Sequence, residues 1–319
     1  MGINATPCPL GMDIESKLGY INPEAFEAKK SLSGVSVKSG QDQMVCFQSV
    51  PTLNHHIHFM YCPIDLHDIN FPVKQYLSEN YLPPPFVVGG VGGSGTRLIA
   101  QLLKNIGVFM GRHLNASEDA MEFVPFYERY INQYLKGLLV NDQHLADELV
   151  AAMINHRRNS YDAYLWGWKN PRSIYLLPIL DSLIPGLRFV HVVRDGLAMS
   201  TSDNQTQLEK HGSSILQDDM QTLPQNQRSL LLWTIVNNAA ADYGKTMGDR
   251  YFLVRYEDTC ENPSKAFSAI AASLELNLPN VWDIAISPPR MRQDSISQSF
   301  SPLVNENATI ALKRFGYSC

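Results

Sequence analysis

At 319 residues the chain has room for one large α/β domain, with or without a smaller appendage. Hydrophobic residues make up 45% and charged residues 18%, a globular balance that excludes general disorder. The formal net charge of −5 argues against a nucleic-acid-binding protein, and no apolar run is long enough to span a membrane. Residues 1–85 mix Gly, Pro, Ser and Lys with short apolar runs and end in Pro83-Pro84-Pro85. Three prolines cannot enter a helix interior or a central strand, so they mark a boundary between an N-terminal extension (1–85) and the main domain (86–319). Phe86-Val87-Val88 predicts a short strand, and Thr96 to Ile106 a helix with Leu98, Leu102, Leu103 and Ile106 on one face. Helices are expected over 119–139 and 142–158, the first with an aromatic face of Phe123, Phe126, Tyr127 and Tyr130. Leu165–Trp168 reads as a strand, 173–184 as a helix closed by Pro185-Gly186, and Arg188–Val193 as a buried strand followed by a helix from about 196. Further along come a helix over 227–247, a strand Tyr251–Arg255, a helix over 263–274 started by Pro263, and an irregular tail with a terminal helix. Strands alternating with helices imply a mainly parallel sheet covered on both faces, a three-layer α/β sandwich.

The five cysteines (Cys8, Cys46, Cys62, Cys260, Cys319) are odd in number and widely spaced. Free thiols in a reducing, cytoplasmic compartment fit that pattern better than a disulfide framework, and the N-terminus lacks a secretion signal. His55, His56, His58, Cys62 and His67 match no structural zinc spacing and read as loop residues, so no metal is expected.

Two basic islands stand out in the acidic chain. Residues 86–114 carry Arg97, Lys104 and Arg112 and no acid, while 163–194 carry Lys169, Arg172, Arg188 and Arg194 against Asp181 alone. Two such islands suit a small polyanionic ligand. The first contains Gly89-Gly90-Val91-Gly92-Gly93-Ser94-Gly95-Thr96-Arg97, a glycine-rich turn between a strand and a helix. Glycines let backbone N–H groups crowd around an anion, and the helix N-terminus adds free donors. Gly92, Gly93, Ser94, Gly95, Thr96 and Arg97 are the candidate anion-binding residues. The ATP-type loop G-x-x-x-x-G-K-[ST] fails, because Thr96 stands where its lysine belongs. Gly90, Gly92 and Gly95 match G-x-G-x-x-G, but the nearest acids, Glu118 and Asp119, sit in a loop-like stretch instead of at a strand end.

Strand, Gly-Gly-Ser-Gly-Thr-Arg and helix together resemble the 5′-phosphosulfate loop of the sulfotransferases that use PAPS (3′-phosphoadenosine 5′-phosphosulfate). The family's basic residue before Ser-Gly is Gly93 here, so one loop cation is missing. His191-Val192-Val193-Arg194-Asp195-Gly196, with Ser202 eight residues after Arg194, is similar to the family's 3′-phosphate site. An arginine fork suits such a phosphate, because it can bond two oxygens at once. Arg250 to Asp258 with Asn262-Pro263 resembles a further family segment, as scaffold or as ligand contact. The likeness covers about residues 86–275 and is nearer to the tyrosylprotein and bacterial branch. It implies a P-loop-like α/β fold and transfer of a sulfuryl group from PAPS to a hydroxyl or amine on a small-molecule, glycan or peptide acceptor, releasing PAP (adenosine 3′,5′-bisphosphate).

In-line transfer of this kind needs cations or N–H donors at the transferring oxygens and a base for the acceptor proton. Lys169, after the 165–168 strand, resembles the lysine preceding Asp/Glu-Pro in the tyrosylprotein enzymes and is the candidate cation. The family likeness puts the base after the helix that follows the glycine loop; Asp119 is preferred and Glu118 comes next. Two alternatives stay open: an NAD(P)-dependent oxidoreductase using Gly90, Gly92 and Gly95, and a non-catalytic PAP-binding protein.

Overall fold

Among the residues described by the computed structural model (66, 68–139, 143–158, 160, 163–286 and 300–318), four strands form one parallel sheet. They are β1 (Phe86–Gly89), β2 (Gly167–Lys169), β3 (Arg188–Val193) and β4 (Tyr251–Arg255), in the order β2-β1-β3-β4. Val88 pairs with Lys169 on one side and with Val190 on the other, and Val193 pairs with Arg255. Alternate side chains of each strand enter opposite layers, as the two-residue period of a strand requires. Phe86, Val88, Val190, Val192 and Val254 pack with α2 (Thr96–Asn105) and α11 (Pro263–Ser273). Val87, Phe189 and Val193 enter a larger core. That core is shared with α1 (Phe71–Glu79), α3 (Val124–Leu135), α4 (Gln143–Arg157), α5 (Leu177–Leu183), α9 (Gln225–Met247) and α12 (Pro302–Arg314). The result is the expected α/β sandwich with helices on both faces.

The chain leaves β1 toward β2, then crosses back past β1 to build β3 and β4. The strand order therefore reverses between β1 and β3, where the carboxyl ends of an open parallel sheet leave a crevice. The glycine loop follows β1 and Arg194 follows β3, so topology alone brings them to one place.

Prolines explain most shifts of element boundaries. Pro125 and Pro178 occupy the first turns of α3 and α5, so each helix restarts there behind a 3₁₀ segment, at Met121–Phe123 and Pro171–Leu176. Strand β2 runs to Lys169, which makes Lys169 its last residue. The helix expected from 196 is only α6 (Gly196–Ser200), and the chain turns before α7 (Thr206–Ile215) and α8 (Asp218–Gln221). Helix α1, with Pro72 in its first turn, precedes the triple proline, and its Val73 and Leu77 join the main core. Cys8, Cys46, Cys62, Cys319 and the histidines at 55, 56, 58 and 67 lie outside the described residues. Among the described residues, no helix is long and apolar enough to cross a membrane.

On the larger-core side of the sheet, His191 is fully buried, and its Nε2–H donates to Asn237 Oδ1 at 2.8 Å because Asn237 Nδ2 is already committed to Trp233 O. Its Nδ1 then accepts from the Tyr251 hydroxyl. Burial holds its pKa down at about 4. The folded state thus prefers the neutral ring, and the stability it supplies is complete above the unfolded pKa near 6.5 and is lost as pH falls toward 4. We expect about 2 kcal/mol of this stability to be gone by pH 5. Urea unfolding at pH 7.5 and 5.0 should show a smaller pH-dependent loss in His191→Gln than in the wild type. An unchanged loss would contradict the assignment.

Candidate active site

The glycine loop is held open by three of its own amides. Gly90 N–H donates to Pro171 O (3.1 Å), Gly92 N–H to Gln207 Oε1 (2.8 Å) and Ser94 N–H to Val91 O (3.0 Å). The amides of Gly93, Gly95, Thr96 and Arg97 have no hydrogen-bond partner among the described residues, and the last two open α2. Gly93 and Gly95 have φ of +91° and +90°, where an L side chain is strained. A lysine at 93 would be strained in this backbone, which glycine adopts freely. Ser94 is 1% exposed and its Oγ has no hydrogen-bond partner among the described residues. A buried hydroxyl and a set of unpaired N–H groups around one turn are costly to a protein with nothing to bind there.

Arg194 closes the other side. Its Nη1 donates to Gly93 O at 3.2 Å, its guanidinium lies 4.9 Å from the centre of the Tyr256 ring, and its buried Nε has no partner among the described residues. Tyr256 also covers Gly95, where a Cβ would collide with the ring. Asp195 caps α6 through Leu197 N (2.8 Å), and Glu257 Oε1 accepts from Asp195 N (3.0 Å). The Arg250–Asp258 segment thus braces both phosphate candidates. Ser202 lies beyond the end of α6, on the turn that follows. Its carbonyl accepts from Gln205 Nε2 at 2.7 Å, and no hydrogen bond joins it to Arg194.

The proposed cation and base meet. Lys169 is 2% exposed, and its Nζ donates to Asp119 Oδ1 (2.6 Å) and Ser117 O (2.8 Å). Burial pulls its pKa down, against the opposing pull of Asp119 and Glu118, and the charge of Arg97 adds to the lowering. Arg97 itself is exposed, with no hydrogen-bond or ion-pair partner among the described residues. Asp119 is fixed by a turn built on Asn115: Asn115 Oδ1 accepts from Ser117 N and Asp119 N, and its Nδ2 donates to Asp119 Oδ2, each at 2.9 Å. Glu118, at φ +64°, turns instead toward α2 and accepts from Lys104 Nζ (2.7 Å) and Gln101 Nε2 (2.8 Å). Burial pushes its pKa up, but those two bonds and the charges of Lys104 and Lys169 outweigh it and leave a net lowering. His113 is 74% exposed, and its Nδ1 lies 3.7 Å from Glu122. Aromatic residues of α3 and of the 3₁₀ turn before it form a floor beneath β2: Phe123 stacks on Trp168 at 4.1 Å, Trp168 Nε1–H donates to Tyr127, and burial pushes Tyr127 up to about 12.

Sequence reasoning missed Gln207, Tyr256 and Asn115. Tyr256 was within reach, in a segment already singled out. Gln207 was not, because the loop amide it holds lies 115 residues earlier in the chain.

No curated protein matches this chain by sequence. The chain is similar in structure to the sulfotransferase domain of the curacin biosynthetic pathway, with a TM-score of 0.44 at 14% identity over 74% of this chain and 99% of that one. A sulfotransferase from Mycobacterium tuberculosis gives 0.42 at 15% identity, covering 78% and 81% of the two chains. One from Alicyclobacillus acidocaldarius gives 0.41 at 14%, covering 73% and 92%. The sequence profile of the sulfotransferase family matches residues 84–280, a span that holds the glycine loop, Asp119, Lys169 and Arg194. The chain belongs to the sulfotransferase family.

Proposed function

We propose that the protein transfers the sulfuryl group of PAPS to a hydroxyl or amine acceptor, with the Gly92–Arg97 turn holding the 5′ side through the amides of Gly93, Gly95, Thr96 and Arg97, and Arg194 and Ser202 holding the 3′-phosphate. The observation that carries this reading is the meeting of unpaired donors. Four free loop amides, the orphaned Ser94 Oγ and the orphaned Arg194 Nε lie on and beside one turn that Arg194 itself touches. Such a donor set fits a ligand with an anionic group at each end. In the transfer, the acceptor oxygen or nitrogen bonds to sulfur, the bond from sulfur to the 5′-phosphate oxygen breaks, and PAP leaves with that electron pair. Lys169 supplies positive charge to the oxygens around the reacting centre. Asp119 takes the acceptor's proton; its carboxylate has lone pairs left after bonding Lys169 and Asn115. Glu118 anchors the Asn115–Asp119 turn to α2. With Gly93 in place of a loop cation, Lys169 and Arg97 carry the charge it would have brought.

The dinucleotide alternative loses ground, because two of its three glycines, Gly90 and Gly92, spend their N–H groups inside the protein. Incubation with PAPS labelled on sulfur and a panel of hydroxyl and amine acceptors tests the reading. Labelled product with stoichiometric PAP is expected; PAP binding with no transfer to any acceptor would leave the non-catalytic alternative standing.

Arg194→Ala removes the guanidinium from the 3′ side. A charge-assisted hydrogen bond is worth about 1.5–3 kcal/mol, so PAP affinity should fall by about one to two orders of magnitude. Affinity for adenosine 5′-phosphosulfate, which lacks the 3′-phosphate, should change little. Equal losses for both ligands in equilibrium titration would remove Arg194 from the 3′ side.

A further inference from the structure

Of the loop's three tethered amides, Gly92 alone is held by a side chain. Its N–H donates to the Oε1 of Gln207, 115 residues later in the first turn of α7. The same oxygen accepts from the Tyr175 hydroxyl at 2.7 Å, within the 3₁₀ segment that follows Lys169. Tyr175 is fully buried, and burial pushes its pKa well up, so it stays a donor. Two donors on one oxygen leave the Gln207 amide a single orientation, since turning it would set its NH₂ against both. Gln207 is 8% exposed, and its Cγ and Cδ lie 3.3 Å from where a Cβ on Gly92 would sit. The contact is therefore steric as well as polar, and it reaches the peptide just before Gly93, whose amide is free.

We propose that Gln207 is a positioning residue for the 5′ half of the donor site, which rests on the PAPS reading given above. Gly92 N–H is spent on this tie and is not itself a donor to the ligand. In exchange, the loop peptide is fixed so that the amides of Gly93, Gly95, Thr96 and Arg97 stay free. Without the tie, Gly92 must find another acceptor, and the glycine-rich turn has the freedom to rotate and take its neighbours out of register. The anchor also joins the loop to α7, the helix that follows the Ser202 turn.

The test is an equilibrium titration of the full chain with adenosine 5′-phosphate and, separately, adenosine 3′-phosphate. Gln207→Met keeps the length and removes the acceptor. We expect it to weaken the 5′-phosphate about tenfold, one lost hydrogen bond's worth, and to leave the 3′-phosphate unchanged. Tyr175→Phe, which removes only the donor that orients Gln207, should give the same selective pattern with a smaller amplitude and carries the test should Gln207→Met not fold. A purely structural role would weaken both nucleotides alike. Equal weakening, or none, in variants of a wild type that binds both nucleotides would overturn the role of Gln207 alone. A wild type that binds neither would overturn the donor site and this role with it.

Discussion

Lys169→Met is expected to cut sulfuryl transfer by about 10²–10³-fold, the range seen when one preorganised group at a developing charge is removed. PAP affinity should barely move, because PAP lacks the sulfuryl group that Lys169 is proposed to face. The side chain ends β2 and is almost wholly buried, so methionine fills its path without opening a cavity. The partner left behind, Asp119, keeps 20% of its side chain exposed and its bond from Asn115, so water can solvate it. The fold should therefore survive, and the loss should fall on kcat. PAP release under saturating PAPS, with the unfolding midpoint measured alongside, checks both parts. A variant that transfers at the wild-type rate would reduce Lys169 to a structural partner of the Asn115–Asp119 turn.

Asp119→Asn should damage stability as well as activity. It leaves a lysine with 2% exposure facing only the Ser117 carbonyl and a neutral amide. Removing one partner of a buried pair typically costs about 3–5 kcal/mol, and the upper part of that range is softened here because Lys169 can shed its proton from an already lowered pKa. The double variant Lys169→Met/Asp119→Asn removes the orphaned charge and should recover most of the stability while activity stays at the floor. That opposite response of stability and rate is the signature of a coupled pair. Additive losses in both, measured by urea unfolding and PAP release, would mean that the two residues act independently.

How much of this was legible in the sequence differs by residue. The strands at 86, 188 and 251 announce themselves as short β-branched or aromatic runs beside turn residues, and their alternation with helices yields the parallel sandwich. Glycine loop and Arg194 follow strand ends, which the same reading gives; that they meet depends on the strand order β2-β1-β3-β4, which no local pattern encodes. The missing cation at Gly93 was visible as a departure; the backbone at φ +91° that strains a side chain there was not, because conformation at a single glycine is set by the loop around it. Asp119 ranked ahead of Glu118 in sequence only through the family likeness. In the structure they separate through the Asn115 turn, which sends one carboxylate to Lys169 and the other to α2. Gln207 could not be found at all, since its partner lies 115 residues away and its helix was not foreseen.

The most direct test of the two-ended donor site is thermal unfolding with PAP, with adenosine 5′-phosphosulfate and with NADPH at matched concentration. A ligand at about 100 times its dissociation constant adds about 2.7 kcal/mol, which at roughly 2–4 °C per kcal/mol is a shift of several degrees for a domain of this size. PAP is expected to raise the midpoint, and the compound without the 3′-phosphate to raise it far less. A shift with NADPH alone would contradict it.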